Sequence, residues 1–315
     1  MKPFTNQEIS GNWATLLLAT DSDGNIEFSK MNDEIDVLIA SRPNGIYSNG
    51  TAGEFYAQTE DEFMQVSEML ASKCEKALIP FQIGVSHMSP QISLQRLKMI
   101  KDLHPGAVQV ILPDWFPPTP DESVVFLKKM AEEAGEISLV LYNPPHAKIQ
   151  VEPEDWAFLK KQIPSLMGVK VFDQNGNADW YAKVRKNSEG LSVFIPGHRL
   201  ATGIKSGAHG AYSNMACLNP FAAQKWYNLI NNDMEAALEL ESRVGQFMKR
   251  FIEPLITVHH YSNQACDRFM AVLGSWADVG SKLRWPYKSV PEELAEPVRK
   301  QAKQIIPEFF EKQYE

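Results

Sequence analysis

Apolar residues fall along this chain in two alternating patterns. Short continuous runs rich in β-branched and aliphatic residues occupy positions 14–19, 45–48, 78–85, 107–112, 137–142, 166–171, 191–195 and 208–213. Between most of them the apolar positions recur every three or four residues, as at 32–41, 59–73 and 89–103. Runs of the first kind predict strands covered on both faces, and the second kind predicts amphipathic helices. Eight such strands alternating with helices are what a closed α/β barrel of the (β/α)8 TIM type requires.

Helix-start chemistry agrees with the pattern. Thr59 is followed three positions later by Glu62, and Ser89 precedes Pro90. Pro120-Asp121-Glu122 and Pro153-Glu154-Asp155 place carboxylates in a first helical turn, where the backbone dipole favours them. After Asn219-Pro220 the strand signal stops. Residues 1–220 are therefore expected to form the barrel carrying the active site, and residues 221–315 a C-terminal helical extension interrupted near Pro254, Pro286 and Pro291.

Composition narrows the class. A chain of 315 residues with 44% hydrophobic and 22% charged residues has ample material for a core. A net charge of −8 without a basic run argues against a nucleic-acid partner. No stretch reaches the roughly 18 apolar residues needed to cross a bilayer. The run at 13–20 lacks a basic leader and enters the turn Asp21-Ser22-Asp23-Gly24, so it is read as a strand rather than a signal peptide. Cys74, Cys217 and Cys266 form no Cys-x-x-Cys pair, which fits a reducing cytoplasm. The seven histidines show no ligand-like clustering with carboxylates, so neither a metal nor a cofactor is expected.

Candidate chemistry is sought at the C-terminal strand ends, where barrels carry their sites. Lys170 interrupts the sixth apolar run in Gly168-Val169-Lys170-Val171. Such a lysine either reaches solvent or a salt bridge, or has its amine pKa lowered until it can attack a carbonyl. Tyr142 ends the fifth run, and the second runs into Gly50-Thr51-Ala52-Gly53-Glu54, a small-residue turn suited to backbone contacts with an anion. Glu54 is expected to satisfy backbone donors at that turn. Trp115 follows the fourth run and Gly197-His198-Arg199 the seventh, and all are expected on one face of the barrel.

Together, Gly50-Thr51-x-Gly53-Glu54, Tyr142-Asn143-x-Pro145 and Gly168-x-Lys170, with Pro196-Gly197 and Gly207-Ala208-x-Gly210, resemble the dihydrodipicolinate synthase and N-acetylneuraminate lyase family of pyruvate-handling class I aldolases. The resemblance implies that Lys170 forms an imine with a 2-keto acid, that Tyr142 shuttles protons, and that Thr51 and Ala52 hold the substrate carboxylate. Trp115, Gly197, His198, Arg199 and Tyr212 are expected to line the substrate pocket, and the resemblance implies a homotetramer or homodimer.

Departures from the family pattern shape the expected substrate. His146 and Ala147 stand where an arginine usually follows the Tyr-Asn-x-Pro segment, which argues against the lysine-biosynthesis reaction. Ala52 and Trp115 replace frequent relay hydroxyls, and an indole can only donate. His198 and Arg199 are expected to act as a cationic pair for a second acidic group. The expected activity is Schiff-base cleavage or condensation of a 2-keto acid with an aldehyde. Its alternatives are a keto-deoxy sugar acid dehydratase using the same imine, and an inactive ligand-sensing barrel.

Overall fold

Eight parallel strands close into one barrel in sequence order: β1 (Gly11–Thr15), β2 (Gly45–Ser48), β3 (Phe81–Gly84), β4 (Ala107–Val110), β5 (Ser138–Asn143), β6 (Leu166–Val171), β7 (Ser192–Phe194) and β8 (Gly210–Tyr212). This architecture comes from a computed structural model that describes residues 1–311. Positions 312–315 of the expected helical extension lie outside the described residues.

Between the strands run α1 (Phe28–Ala40), α2 (Glu60–Ala77), α3 (Pro90–Ile100), α4 (Pro120–Ala134), α5 (Pro153–Gln162), α6 (Ala178–Asn187) and α7 (Leu200–Ser206). Reciprocal capping boxes start α2 at Thr59 with Glu62 and α4 at Thr119 with Glu122. Each such cap is worth about 1 kcal/mol. The fold is the (β/α)8 TIM barrel that the periodicity predicts.

Strand limits differ from expectation where buried loops imitate strands. Leu16, Leu17, Leu18 and Ala19 are all buried but lie beyond the end of β1. Leu78, expected inside the third strand, instead caps α2 in a left-handed conformation and is 85% exposed.

Side-chain alternation fills the barrel. Trp13, Tyr47, Val140, Phe194 and Tyr212 form an inner cluster separate from the apolar layer between strands and helices. Because the period of a strand is two, Tyr142 points the way Val140 does, and Lys170 the way Gly168 does. Tyr142 and Lys170 are also register partners across β5 and β6. The sheet alone therefore sets the phenol beside the amine.

After β8 come α8 (Asn214–Leu218), α9 (Pro220–Asn232), α10 (Met234–Phe247), a π-helical turn at Met248–Ile252, α11 (Glu253–Thr257), α12 (Asn263–Gly274) and α13 (Ala295–Ile305). The Asn219 side chain caps α9, accepting from the backbone N–H groups of Phe221 and Ala222. Helix α12 packs on α8, and the indole of Trp276 just beyond it donates to the Cys217 carbonyl at 2.8 Å. The extension shares one apolar core with the helical shell of the barrel. Among the described residues no helix is long and apolar enough to cross a membrane.

Candidate active site

A cavity of about 610 Å³ opens where the C-terminal ends of the strands meet the helical extension. Lys170 rises into it from β6, with Nζ 4.2 Å from the centre of the Tyr142 ring, 5.1 Å from that of Tyr212 and 5.5 Å from that of Tyr47. Among the described residues no carboxylate pairs with this amine. Burial pushes its pKa from 10.5 down to about 8, against the opposing pull of Asp267 and Cys217. Aromatic faces offset part of the cost of a buried ammonium, but they do not replace its hydration.

Tyr142 is hydrogen-bonded to the side chain of Thr51, and burial raises the phenol to about 12 despite that bond. The turn carrying Thr51 and Ala52 is built on glycine for steric reasons. A Cβ at position 50 would sit 1.6 Å from the Tyr47 hydroxyl, and one at position 53 would sit 2.9 Å from the Leu16 carbonyl oxygen. Glu54 closes the turn in a left-handed conformation. The expectation that it serves donors within the turn is corrected. Its carboxylate takes the Arg268 guanidinium at 2.7 Å and the Arg284 backbone N–H at 2.9 Å, so the turn is tied to the far end of the chain.

The chain matches the Dihydrodipicolinate synthetase family over residues 8–305. It belongs to that family. Among relatives, it is 28% identical to an N-acetylneuraminate lyase from Gallus gallus over 65% of this chain and 68% of the relative. It is 22% identical to a trans-o-hydroxybenzylidenepyruvate hydratase-aldolase from Sphingobium xenophagum over 95% of this chain and 93% of the relative. A prophage protein of the dihydrodipicolinic acid synthase family from E. coli K12, solved with pyruvate, superposes with a TM-score of 0.80 at 15% identity, covering 96% of this chain and 98% of that one. As a member of the dihydrodipicolinate synthetase family the protein is an enzyme, a lyase-aldolase of the class I type.

Of the residues singled out in the sequence, Lys170, Tyr142, Thr51, Ala52, Gly197, His198 and Tyr212 line this one cavity. Tyr212 forms part of its floor: the ring packs 4.5 Å from Tyr47, and the hydroxyl donates to the Gln82 side chain at 2.6 Å. Two residues do not join them. Trp115 is 79% exposed on the loop after β4 and does not line the cavity. There the Asp114 carboxylate accepts from the Lys148 backbone at 2.9 Å, and the Lys148 amine donates to the Trp115 carbonyl at 2.9 Å. Arg199 points its guanidinium to the fully buried Asp173, 2.9 Å away.

The expected cationic pair is thereby corrected on both members. Arg199 is spent on an internal ion pair. His198 is neutral, because burial lowers its pKa and its surroundings choose one tautomer. The Asn214 amide oxygen accepts from the His198 backbone N–H at 3.0 Å, so the amide nitrogen faces Nδ1 at 3.0 Å and that ring nitrogen must accept. The ring proton is left on Nε2.

The cavity contains residues that sequence reasoning missed. Met248, Ile252 and Ile256 line it from the extension, and Asp267 projects into it from α12. Asp267 and Arg268 are adjacent charges inside the otherwise apolar run Ala265 to Ala271, and that was the available signal. Burial raises the Asp267 carboxyl to about 7, partly countered by Lys170. Among the described residues no group of three His, Cys, Asp or Glu side chains could hold a metal ion.

Proposed function

We propose that this enzyme cleaves, or in reverse forms, a carbon–carbon bond of a 2-keto acid through an imine on Lys170, with pyruvate as the small product. The observation that carries the reading is the half-buried, unpaired amine beside a phenol that is itself bonded to Thr51. With a pKa of about 8 rather than 10.5, about one amine in ten is free at pH 7 instead of about one in three thousand. A free amine is what attack on a carbonyl needs.

In this reading the backbone at Thr51 and Ala52 holds the keto-acid carboxylate, Lys170 attacks the keto carbon, and Tyr142 with Thr51 moves protons to the departing oxygen, which leaves as water. The iminium then accepts the electron pair of the breaking bond. Imine hydrolysis returns that water and frees both pyruvate and Lys170.

The rest of the cavity supports a narrower reading of the substrate. Among the described residues no lysine or arginine apart from Lys170 lines it, and its outer wall is Met248, Ile252, Ile256 and Tyr261. A second carboxylate there would be buried without a counter-charge, a cost of several kcal/mol. A neutral aldehyde with an apolar or aromatic body fits better. The name of the Sphingobium relative, which describes an aryl-bearing pyruvate, agrees with this choice. That no cation other than Lys170 lines the cavity among the described residues also disfavours the lysine-biosynthesis reaction.

The test is a panel of 4-hydroxy-2-oxo acids bearing phenyl, alkyl, polyhydroxyalkyl or carboxyl groups, with pyruvate release followed for each. The phenyl or alkyl member should exceed the carboxylated one by about tenfold or more in kcat/KM. Loss of water without pyruvate would replace this reading with the dehydratase. A homodimer or homotetramer remains part of the proposal, and the exposed Trp115 and Phe116 offer apolar surface for it.

A further inference from the structure

We infer that Asp267 is a second acid–base catalytic residue, which takes the proton from the hydroxyl at the bond being broken and returns it to the carbon left behind. The inference rests on the Lys170 imine reading.

Its basis is the position of one carboxylate. Among the described residues Asp267 is the only acidic one lining the cavity, and it comes from α12 rather than from a strand of the barrel. Its neighbour Arg268 does not neutralise it, because that guanidinium is committed to Glu54 at 2.7 Å and to the Val279 carbonyl at 2.8 Å. Among the described residues Asp267 has neither a hydrogen-bond partner nor an ion pair. A half-buried carboxylate inside a largely apolar cavity without a partner is costly, and sites of this kind concentrate at working positions.

Asp267 and Lys170 face the same space and feel each other's charge without forming an ion pair. A substrate held in that space meets both side chains. Tyr142, by contrast, is held by Thr51 on the turn assigned to the carboxylate. The arrangement divides the proton transfers: Tyr142 serves the oxygen lost during imine formation, and Asp267 serves the oxygen of the aldehyde.

The steps balance. Once the imine has formed, the Asp267 carboxylate removes the proton of the C4 hydroxyl. The O–H pair becomes the aldehyde C=O bond, the C3–C4 pair becomes the C2=C3 bond of an enamine, and the C2=N pair settles on nitrogen. After the aldehyde leaves, the protonated Asp267 delivers its proton to C3, restoring the iminium that water hydrolyses to pyruvate.

Charge coupling times the two halves. An iminium carries a fixed positive charge beside Asp267 and favours its ionised form when a base is needed. The neutral enamine withdraws that support and favours the acid form when C3 must be protonated. Other titratable groups facing this space, apart from Lys170, are Tyr47 from β2, Tyr142 from β5, Tyr212 from β8, Cys217 from α8, Cys266 on α12 itself, Tyr261 from the segment between α11 and α12, and His146 and His198 from loops.

The experiment uses pyruvate in deuterium oxide. The wild-type enzyme should exchange the methyl protons of pyruvate through the enamine, and borohydride should trap the imine. Asp267→Asn should keep imine trapping within about twofold while exchange and cleavage both fall at least about 100-fold. The wild-type acid-side limb of exchange against pH should be missing from that variant, and Asp267→Glu should regain part of the rate. Exchange by Asp267→Asn within about threefold of wild type would overturn the assignment, as would loss of trapping in a variant that remains folded. Failure of the wild type to trap any 2-keto acid would overturn the imine reading beneath it.

Discussion

Lys170 carries the account at the scale of single residues, and its cost should be measurable. Its amine titrates at about 8 when folded and at about 10.5 when exposed. Below pH 8 both states are protonated and the folded state bears the full penalty of a buried charge, on the order of 3 kcal/mol. Between pH 8 and 10.5 the unfolded chain still holds the proton that the folded chain has released, and the penalty fades. Lys170→Met should therefore abolish imine formation and raise the melting temperature by several degrees at pH 7. The gain should shrink as pH rises from 8 towards 10.5. A melting temperature that falls at pH 7 would mean that the amine is stabilised by contacts outweighing its burial. The same principle explains the misread Arg199: its partner Asp173 is 26 positions away in sequence and meets it only after folding.

At the scale of elements, the Glu54–Arg268 pair links the turn after β2 to α12, both side chains being fully buried at a separation of 2.7 Å. Breaking such a pair on one side leaves a buried charge without compensation and costs about 3–5 kcal/mol. Arg268→Met should lower stability by that amount in a urea titration. Because the Thr51 turn and Asp267 share this link, it should also raise the KM for a 2-keto acid. The double variant Glu54→Gln/Arg268→Met should recover a large part of the stability, since no charge is then stranded. Equal stability of single and double variants would show that the pair does not couple the two elements.

The elements also show what was legible beforehand. All eight strands could be read because each is a continuous apolar run, and Lys170 and Tyr142 stood out because each interrupts or ends one. Leu16 to Ala19 misled because a buried loop and a buried strand have the same composition. Trp115 misled because the direction of its loop depends on Asp114 and Lys148, 34 positions apart.

Taken whole, the molecule is a barrel whose site is completed by its own C-terminal helices. Strand register sets Tyr142 against Lys170, the second turn brings Thr51 to Tyr142, and the extension adds Asp267 and an apolar wall. The extension's share of the site was hidden in the sequence, because helical periodicity shows that a face is buried but not which cavity it covers. One measurement tests the central claim most directly. The enzyme is incubated with pyruvate at pH 8, reduced with borohydride, digested and mapped by mass. The account predicts one covalent adduct, on Lys170, absent from Lys170→Met and absent without pyruvate. An adduct on a different lysine, or none with pyruvate or any other 2-keto acid, would contradict it.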